Sequence, residues 1–153
     1  MKAIQSYAEI LDIDFGVNVL KKIELVGRTC YKSEDKIKEG SDEKFVSNLI
    51  KRGHEAMLEH ASFCFEIDYG VYRFMKDTIQ SLSDYFGYIS FMRFTCEERI
   101  LMSGNVRAWR DLFWNMNQYN VIPNCFEGFI RENPVLFPEY RDEIFAPENI
   151  GSI

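Results

Sequence analysis

Apolar and polar residues follow two different periods near the middle of the chain. Apolar residues lie at every second position of one segment, namely at Ala61, Phe63, Phe65 and Ile67. This alternation predicts a half-buried β-strand over residues 61–68. After Gly70 the spacing changes, and apolar residues recur three, four and seven positions apart from Val71 to Phe86. That second period predicts an amphipathic helix.

Two further helices are predicted before this strand. The apolar stripe of the first consists of Val19, Leu20, Ile23 and Val26. Gly27 follows directly and is expected to end this helix. The second helix has acids in its first turn at residues 42 and 43, and Gly53 suits a left-handed cap at its end. An amino-terminal strand is predicted within residues 4–11, and residues 35–40 are predicted to be a charged loop.

The carboxyl-terminal half combines short strands and helices. Residues 88–95 and 99–103 are rich in strand-forming side chains, and a helix is predicted to open at Gly104 and Asn105. The side chain of Asn105 is suited to cap that helix. A short helix is predicted over residues 126–132. Because strands and helices do not alternate regularly, the pattern predicts an α+β fold with antiparallel strand pairing.

Composition sets the class of protein. The chain has 153 residues, 46% of them hydrophobic and 15% aromatic, which is typical of one globular domain over residues 1–153. A net charge of −6 argues against binding to nucleic acid or to anionic membranes through bulk electrostatics. No apolar run is long enough for a membrane span, and no secretory signal is recognisable at Met1. The four cysteines form no C-x-x-C pair. A cytoplasmic location is therefore expected.

Both histidines of the chain lie within the segment from Gly53 to Phe63, and each has an acid beside it. Histidine readily changes charge near neutral pH, so His54, Glu59 and His60 form a candidate site. The alternative is that the two histidines simply flank a helix end and a strand start. A metal site is not expected, because a third ligand at suitable spacing is missing and H-E-x-x-H is not present.

A second candidate is the segment Ser103-Gly104-Asn105-Val106-Arg107. A strand that leads through glycine into a helix presents free backbone N–H groups to an anion, and Arg107 is placed for a phosphate contact. The alternative is an ordinary capped helix with a solvated arginine. A third segment, Arg28 to Ser33, is polar and cationic, and alone it indicates a surface turn.

Taken in order, these segments resemble landmarks of the flavin-dependent thymidylate synthases (the ThyX family). The segments are R-T-C-Y-K-S from residue 28, G-H-E-A-M-L-E-H-A-S-F-C-F-E-I from residue 53 and S-G-N-V-R-A-W-R-D-L-F from residue 103. N-P-V-L-F from residue 133 is similar to the closing segment of the family. The resemblance implies a ThyX-like α+β fold with a central, curved antiparallel sheet flanked by helices.

The resemblance also implies chemistry and assembly. Members of the family are homotetramers that bind FAD at subunit junctions. They transfer a methylene group from methylenetetrahydrofolate to dUMP, with NADPH as reductant. No protein side chain attacks the uracil, so no catalytic residue is assigned. By position, His54 corresponds to a histidine beside the flavin, while Asn105 and Arg107 correspond to residues that contact flavin from another subunit.

The chain departs from the family at its hallmark, R-H-R followed by S-x-R. The corresponding place reads Asp77, Thr78, Ile79, and no S-x-R follows in that helix. Asp111 stands where the family has Asn or His, and Met116 stands near the place of an arginine that grips the nucleotide. Each lost buried, charge-assisted contact costs about 2–5 kcal/mol, so tight binding of dUMP is not expected.

Three hypotheses follow. The first is a catalytically impaired ThyX relative, a pseudoenzyme that retains flavin or nucleotide binding or acts in assembly. The second is a divergent active thymidylate synthase in which Arg73, Lys76 or Arg93 replaces the missing cations. Arg73 and Lys76 are three residues apart and therefore share a helix face. The third is an unrelated α+β interaction protein.

Overall fold

The computed structural model describes residues 7–11, 15–78, 88–93, 98–120 and 122–140. The strands are β1 (Ala8–Ile10), β2 (Ser62–Asp68), β3 (Ser90–Arg93) and β4 (Arg99–Asn105). The helices are α1 (Phe15–Cys30), α2 (Ser41–Lys51), α3 (Tyr69–Thr78), α4 (Val106–Gln118) and α5 (Glu127–Glu132). Short 3-10 helices occur at Glu34–Lys36, Glu55–His60 and Asn124–Phe126.

The four strands form one antiparallel sheet in the order β1-β2-β4-β3. In its register Phe65 of β2 lies opposite Met102 of β4 and opposite Ile10 of β1. The prediction of an α+β fold with antiparallel pairing is confirmed. The amino-terminal strand is confirmed as β1, and the first six residues of the chain lie outside the described part.

One face of this sheet carries the core. Phe63, Phe65 and Ile67 are buried, as the alternation in β2 predicts. Trp109 of α4 stacks on the ring of Phe63, with ring centroids 5.1 Å apart and an interplanar angle of 17°. Trp109 also meets Phe65 edge to face at 5.1 Å. The amphipathic helix α4 is therefore held against the sheet by aromatic contacts, and its first turn is fixed next to β2.

Helices α1 and α2 run side by side in the same direction. The hydroxyl of Ser41, at the start of α2, donates to Glu24 Oε1 at 2.7 Å. One turn further along α1, an added Cβ at Gly27 would lie 2.6 Å from the Phe45 ring. Gly27 was predicted to end α1, but the helix continues to Cys30. The prediction is wrong because this glycine serves close packing between two helices rather than a left-handed cap.

The end of α2 has the predicted cap. Gly53 has a φ of 70°, in the left-handed region. Its N–H donates to Ile50 O at 3.0 Å, and the His54 N–H donates to Leu49 O at 2.9 Å. These two bonds satisfy carbonyls that the helix end leaves free and reverse the chain at His54.

Two boundaries differ from the sequence-based predictions. Gly70 was expected to interrupt the chain after β2, yet α3 begins at Tyr69, because Asp68 caps it by accepting the Val71 N–H at 2.9 Å. Gly104 was expected to open α4, yet it is part of β4, where it pairs with Phe63. The part of the predicted amphipathic helix beyond residue 78 lies outside the described residues. The helix predicted over residues 126–132 is confirmed as α5.

Candidate functional site

The histidine-containing 3-10 segment Glu55–His60 lies along α4 and is attached to it at two points. Arg107 donates to Glu59 Oε1 at 2.6 Å. Arg110, almost one turn further along the helix, donates to Glu55 Oε1 at 3.0 Å. The acids beside the two histidines therefore hold this segment against the helix. The contact with Arg107 gives Glu59 a structural role.

The start of α4 forms a polar cavity of about 290 Å³. The described residues that line it are Glu59, Tyr88, Asn105, Arg107, Ala108 and Asp111. Two of the predicted cofactor-binding residues, Asn105 and Arg107, are thus brought together. The third, His54, is not among the described residues of this lining.

Asn105 acts as the N-cap that the sequence predicts. Its side-chain oxygen accepts the Ala108 N–H at 2.8 Å. The cap also orients the first turn of α4, in which Arg107 lies.

Arg107 is half-exposed, and so is its partner Glu59, with 44% and 49% of their side chains accessible. The hydrogen bond that Arg107 donates to Glu59 raises the pKa of its guanidinium above the ordinary value. The cation is therefore neutralised by a neighbour that solvent can reach. An anion that enters the cavity has to share Arg107 with Glu59 or displace it.

Asp111 lies one turn after Arg107 and lines a second cavity as well. That cavity has a volume of about 270 Å³ and is bounded by Glu55, Arg110, Asp111, Trp114 and Glu139. Burial, and then the charge of Glu55, raise the pKa of the Asp111 carboxyl above its usual value. Each cavity therefore combines one arginine with two or more acids.

His54 lies at the paired ends of α1 and α2. Its Nδ1 is 3.3 Å from the Tyr31 hydroxyl, and both side chains are accessible to solvent. His60 ends the 3-10 segment and is exposed.

Arg110 was not singled out by sequence reasoning, although the structure makes it the centre of an ion cluster. Its side chain is 8% exposed and donates to Glu139 Oε1 at 2.6 Å and to Glu55. It also donates to the Leu136 carbonyl. Burial disfavours its charged form, but the hydrogen bond and charge of Glu139, with Glu55, outweigh burial and raise its pKa. The signal available in the sequence was its place beside Trp109 on the buried stripe of α4.

Two positions at which the chain departs from the pattern of the thymidylate synthases are also defined. Asp77 lies on the exposed side of α3, where it pairs with Arg73 at 3.7 Å, and both side chains are about two-thirds accessible. Met116 is fully buried in the core. Neither position therefore offers a cation to a nucleotide. Ile79 lies outside the described residues.

Within the described part of the chain, no helix is both long and apolar enough to span a membrane. The same part contains no cluster of three or more His, Cys, Asp or Glu side chains arranged to hold a metal ion. The site is thus a polar, acid-rich surface built on α4, the 3-10 segment and the paired ends of α1 and α2.

These features define an α+β protein in which an antiparallel sheet and a capped helix carry a polar cavity beside a G-H-x-x-x-x-E-H segment. Residues 13–79 match the Thy1 family model, described as thymidylate synthase complementing protein. The match covers less than half of the chain and confirms the predicted resemblance to the ThyX family over that part. It includes α1, α2, the 3-10 segment and β2, whereas Asn105 and Arg107 lie beyond it. No curated protein matches the chain.

Proposed function

We propose that this chain is a ThyX-related protein that has lost thymidylate synthase activity and retains a flavin site. The observation that carries the proposal is the replacement of the family hallmark. An exposed Asp77, paired with Arg73, stands where the family has the first arginine of R-H-R. An acid at that position repels the phosphate of dUMP instead of binding it.

The second support comes from α4. The place of an arginine that grips the nucleotide in the family is taken by Met116, which is fully buried. A side chain packed in the core cannot turn outward without leaving a cavity, which typically costs several kcal/mol, of the order of 2–5. The substrate side of the family site therefore lacks two of its cations in this chain.

The cofactor side is better preserved. Asn105 and Arg107 line one cavity at the start of α4, and half of Arg107 is accessible. A volume of about 290 Å³ holds part of a dinucleotide rather than the whole of FAD. In the ThyX family, which the chain resembles, a second subunit completes such a site. We therefore infer a homotetramer of single-domain chains, residues 1–153, that binds FAD between subunits in the cytoplasm.

The alternative is a divergent active synthase that uses NADPH and methylenetetrahydrofolate, with Arg73, Lys76 or Arg93 as substitute cations. Arg73 is exposed on α3 but already pairs with Asp77. Lys76 is exposed and lies over the Tyr72 ring, 5.7 Å from its centroid. Because Arg73 and Lys76 already make these contacts, we expect them to bind an anion more weakly than the R-H-R motif does. An assembly role without cofactor is the remaining alternative, since the family match argues against an unrelated interaction protein.

Flavin binding is tested by titrating FAD into the purified protein while its absorbance and melting temperature are followed. We expect saturable binding, and R107Q is expected to weaken it by about tenfold, or about 1.4 kcal/mol, through loss of a charged contact. R131Q is the matched control, because Arg131 is similarly exposed at 43% and similarly ion-paired, to Glu127 at 2.8 Å. Failure of FAD to shift the melting temperature of the wild-type protein would contradict the cofactor part of the proposal.

The loss of synthase activity is tested in cells. We expect that the chain does not restore growth of a thymidine-requiring strain, whereas an active ThyX enzyme expressed to the same level does. Restored growth without thymidine would instead support the divergent synthase. Size-exclusion chromatography with light scattering tests the tetramer on the same purified sample.

A further inference from the structure

The paired ends of α1 and α2 bring a tyrosine and a histidine together. After α1 the chain reverses at Lys32, which has a φ of 51°, while the Ser33 N–H donates to Arg28 O at 2.9 Å. After α2 the chain reverses at Gly53, which has a φ of 70°. Because the two helices are parallel, both reversals occur at the same end of the pair. They place the Tyr31 hydroxyl 3.3 Å from His54 Nδ1.

This contact is not explained by packing. Tyr31 is 49% exposed, and His54 is classed as exposed too. An exposed hydrogen bond between neutral groups contributes little to stability. The hydrogen bond matters instead for which nitrogen of the His54 imidazole carries the proton. A neutral imidazole has one donor and one acceptor nitrogen, and the partner of one nitrogen decides the role of the other.

We propose that Tyr31 is a positioning residue that holds His54 in the tautomer with the proton on Nε2. In this arrangement the Tyr31 O–H donates to Nδ1, and Nε2 then carries the N–H. His54 thereby presents a hydrogen-bond donor to an acceptor oxygen of a ligand. This inference rests on the proposed flavin site, and the ligand class is a flat, carbonyl-bearing ring such as the flavin ring.

The tautomer is measured without any ligand. Because the chain has two histidines, nitrogen-15 labelling of histidine gives one set of ring signals for His54 and one for His60. In the wild-type protein we expect a protonated Nε2 and an acceptor Nδ1 on His54. In Y31F the His54 signals should move towards a mixture of tautomers, while those of His60 stay unchanged. Identical His54 signals in both proteins, or a proton on Nδ1 in the wild type, would overturn the inference.

The ligand contact is measured by FAD titration of the same proteins. We expect Y31F to weaken binding by about two- to tenfold, which corresponds to the loss of one neutral hydrogen bond. H54A should weaken it at least as much, and H54Q, which keeps an amide donor near the Nε2 position, should restore part of the affinity. Y119F is the matched control, because Tyr119 is also an exposed tyrosine, at 59%.

The two measurements separate the two levels of the inference. If Y31F changes the ring signals but not the affinity for FAD, the donor role of His54 toward the ligand is overturned. If the wild-type protein binds no FAD, the proposed flavin site fails and the ligand role fails with it. In that case the ring signals still decide whether Tyr31 sets the tautomer.

Discussion

Asp111 is a partly buried carboxylate in the site on α4. It lies between the two cavities on α4, within reach of the charges of Arg107 and Arg110. Even so, burial and the nearby Glu55 raise its pKa. A carboxyl group with a raised pKa in the folded state is a source of instability once it ionises. Arg107 and Arg110 already pair with other acids, so they do not offset the cost of ionising Asp111.

Replacing Asp111 by asparagine should therefore stabilise the protein at neutral pH. Between the unfolded and folded pKa values of Asp111 the folded state binds more protons, so wild-type stability falls as the pH rises through that window. D111N removes this loss, and we expect a higher melting temperature at pH 7. The gain should shrink as the pH is lowered towards the ordinary carboxyl pKa of about 4.

Thermal melts of both proteins across this pH range check the prediction. D77N is the control, because Asp77 lies on the exposed face of α3 with 66% of its side chain accessible. A lower melting temperature of D111N at pH 7, or a gain that does not change with pH, would contradict the electrostatic account of this residue.

Glu59 is the second residue at which charge and binding compete. Its ion pair with Arg107 is half-exposed, and such pairs contribute only about 0–1 kcal/mol to stability. We expect E59Q to leave the free energy of unfolding nearly unchanged and to strengthen FAD binding, because Arg107 is then free to contact an anion. Parallel urea melts and FAD titrations measure both effects. Weaker binding of FAD by E59Q would show that Glu59 itself holds the ligand.

At the scale of elements, the local patterns were readable from the sequence and the contacts between elements were not. The alternation over residues 61–68 predicts β2, and the amide of Asn105 predicts the start of α4. The role of Gly27 was misread, because a glycine that ends a helix and one that admits a neighbouring ring look alike in sequence. Arg110 was missed for a different reason: its partners Leu136 and Glu55 lie 26 and 55 residues away along the chain.

The parallel packing of α1 and α2 gives a test at Gly27. In an open helix, alanine at this place would be favoured over glycine by about 1 kcal/mol. Here its Cβ would lie 2.6 Å from the Phe45 ring, and such overpacking typically costs about 1–3 kcal/mol. We expect G27A to destabilise the wild-type protein. In an F45A background the same change should become neutral or stabilising.

A double-mutant cycle in urea measures this change of sign. The cycle needs the wild type, both single variants and the double variant. If G27A has the same effect in both backgrounds, the ring contact is not the reason for the glycine, and the account of this helix pair is wrong.

At the scale of the whole molecule, Arg110 joins three parts of the chain. It links α4 to Glu55 at the start of the 3-10 segment, and to Leu136 and Glu139 near the end of the described residues. A buried arginine with two carboxylates is costly to break, because the acids lose their partner while remaining partly buried. This cluster fixes the 3-10 segment Glu55–His60 relative to the residues around Leu136 and Glu139.

Removing the charge should therefore weaken the whole fold. We expect R110M to lower the free energy of unfolding by about 3 kcal/mol, at the lower end for a buried ion pair because the acids keep some access to water. The free energy of unfolding of R110K should lie between those of the wild type and R110M, because an ammonium group cannot donate to two carboxylates with the forked geometry of a guanidinium. Urea denaturation measures all three proteins. An R110M variant as stable as the wild type would show that the cluster is dispensable.

The central claim concerns the molecule as a catalyst. The chain resembles the ThyX family over residues 13–79, and we propose that Asp77 and Met116 stand in place of two of the cations that bind the nucleotide in that family. The most direct measurement is the formation of dTMP from dUMP by the purified protein with FAD, NADPH and methylenetetrahydrofolate, beside an active ThyX enzyme. We predict no dTMP above the level of a protein-free sample. Formation of dTMP that depends on the protein and on FAD would contradict the claim and identify a divergent synthase.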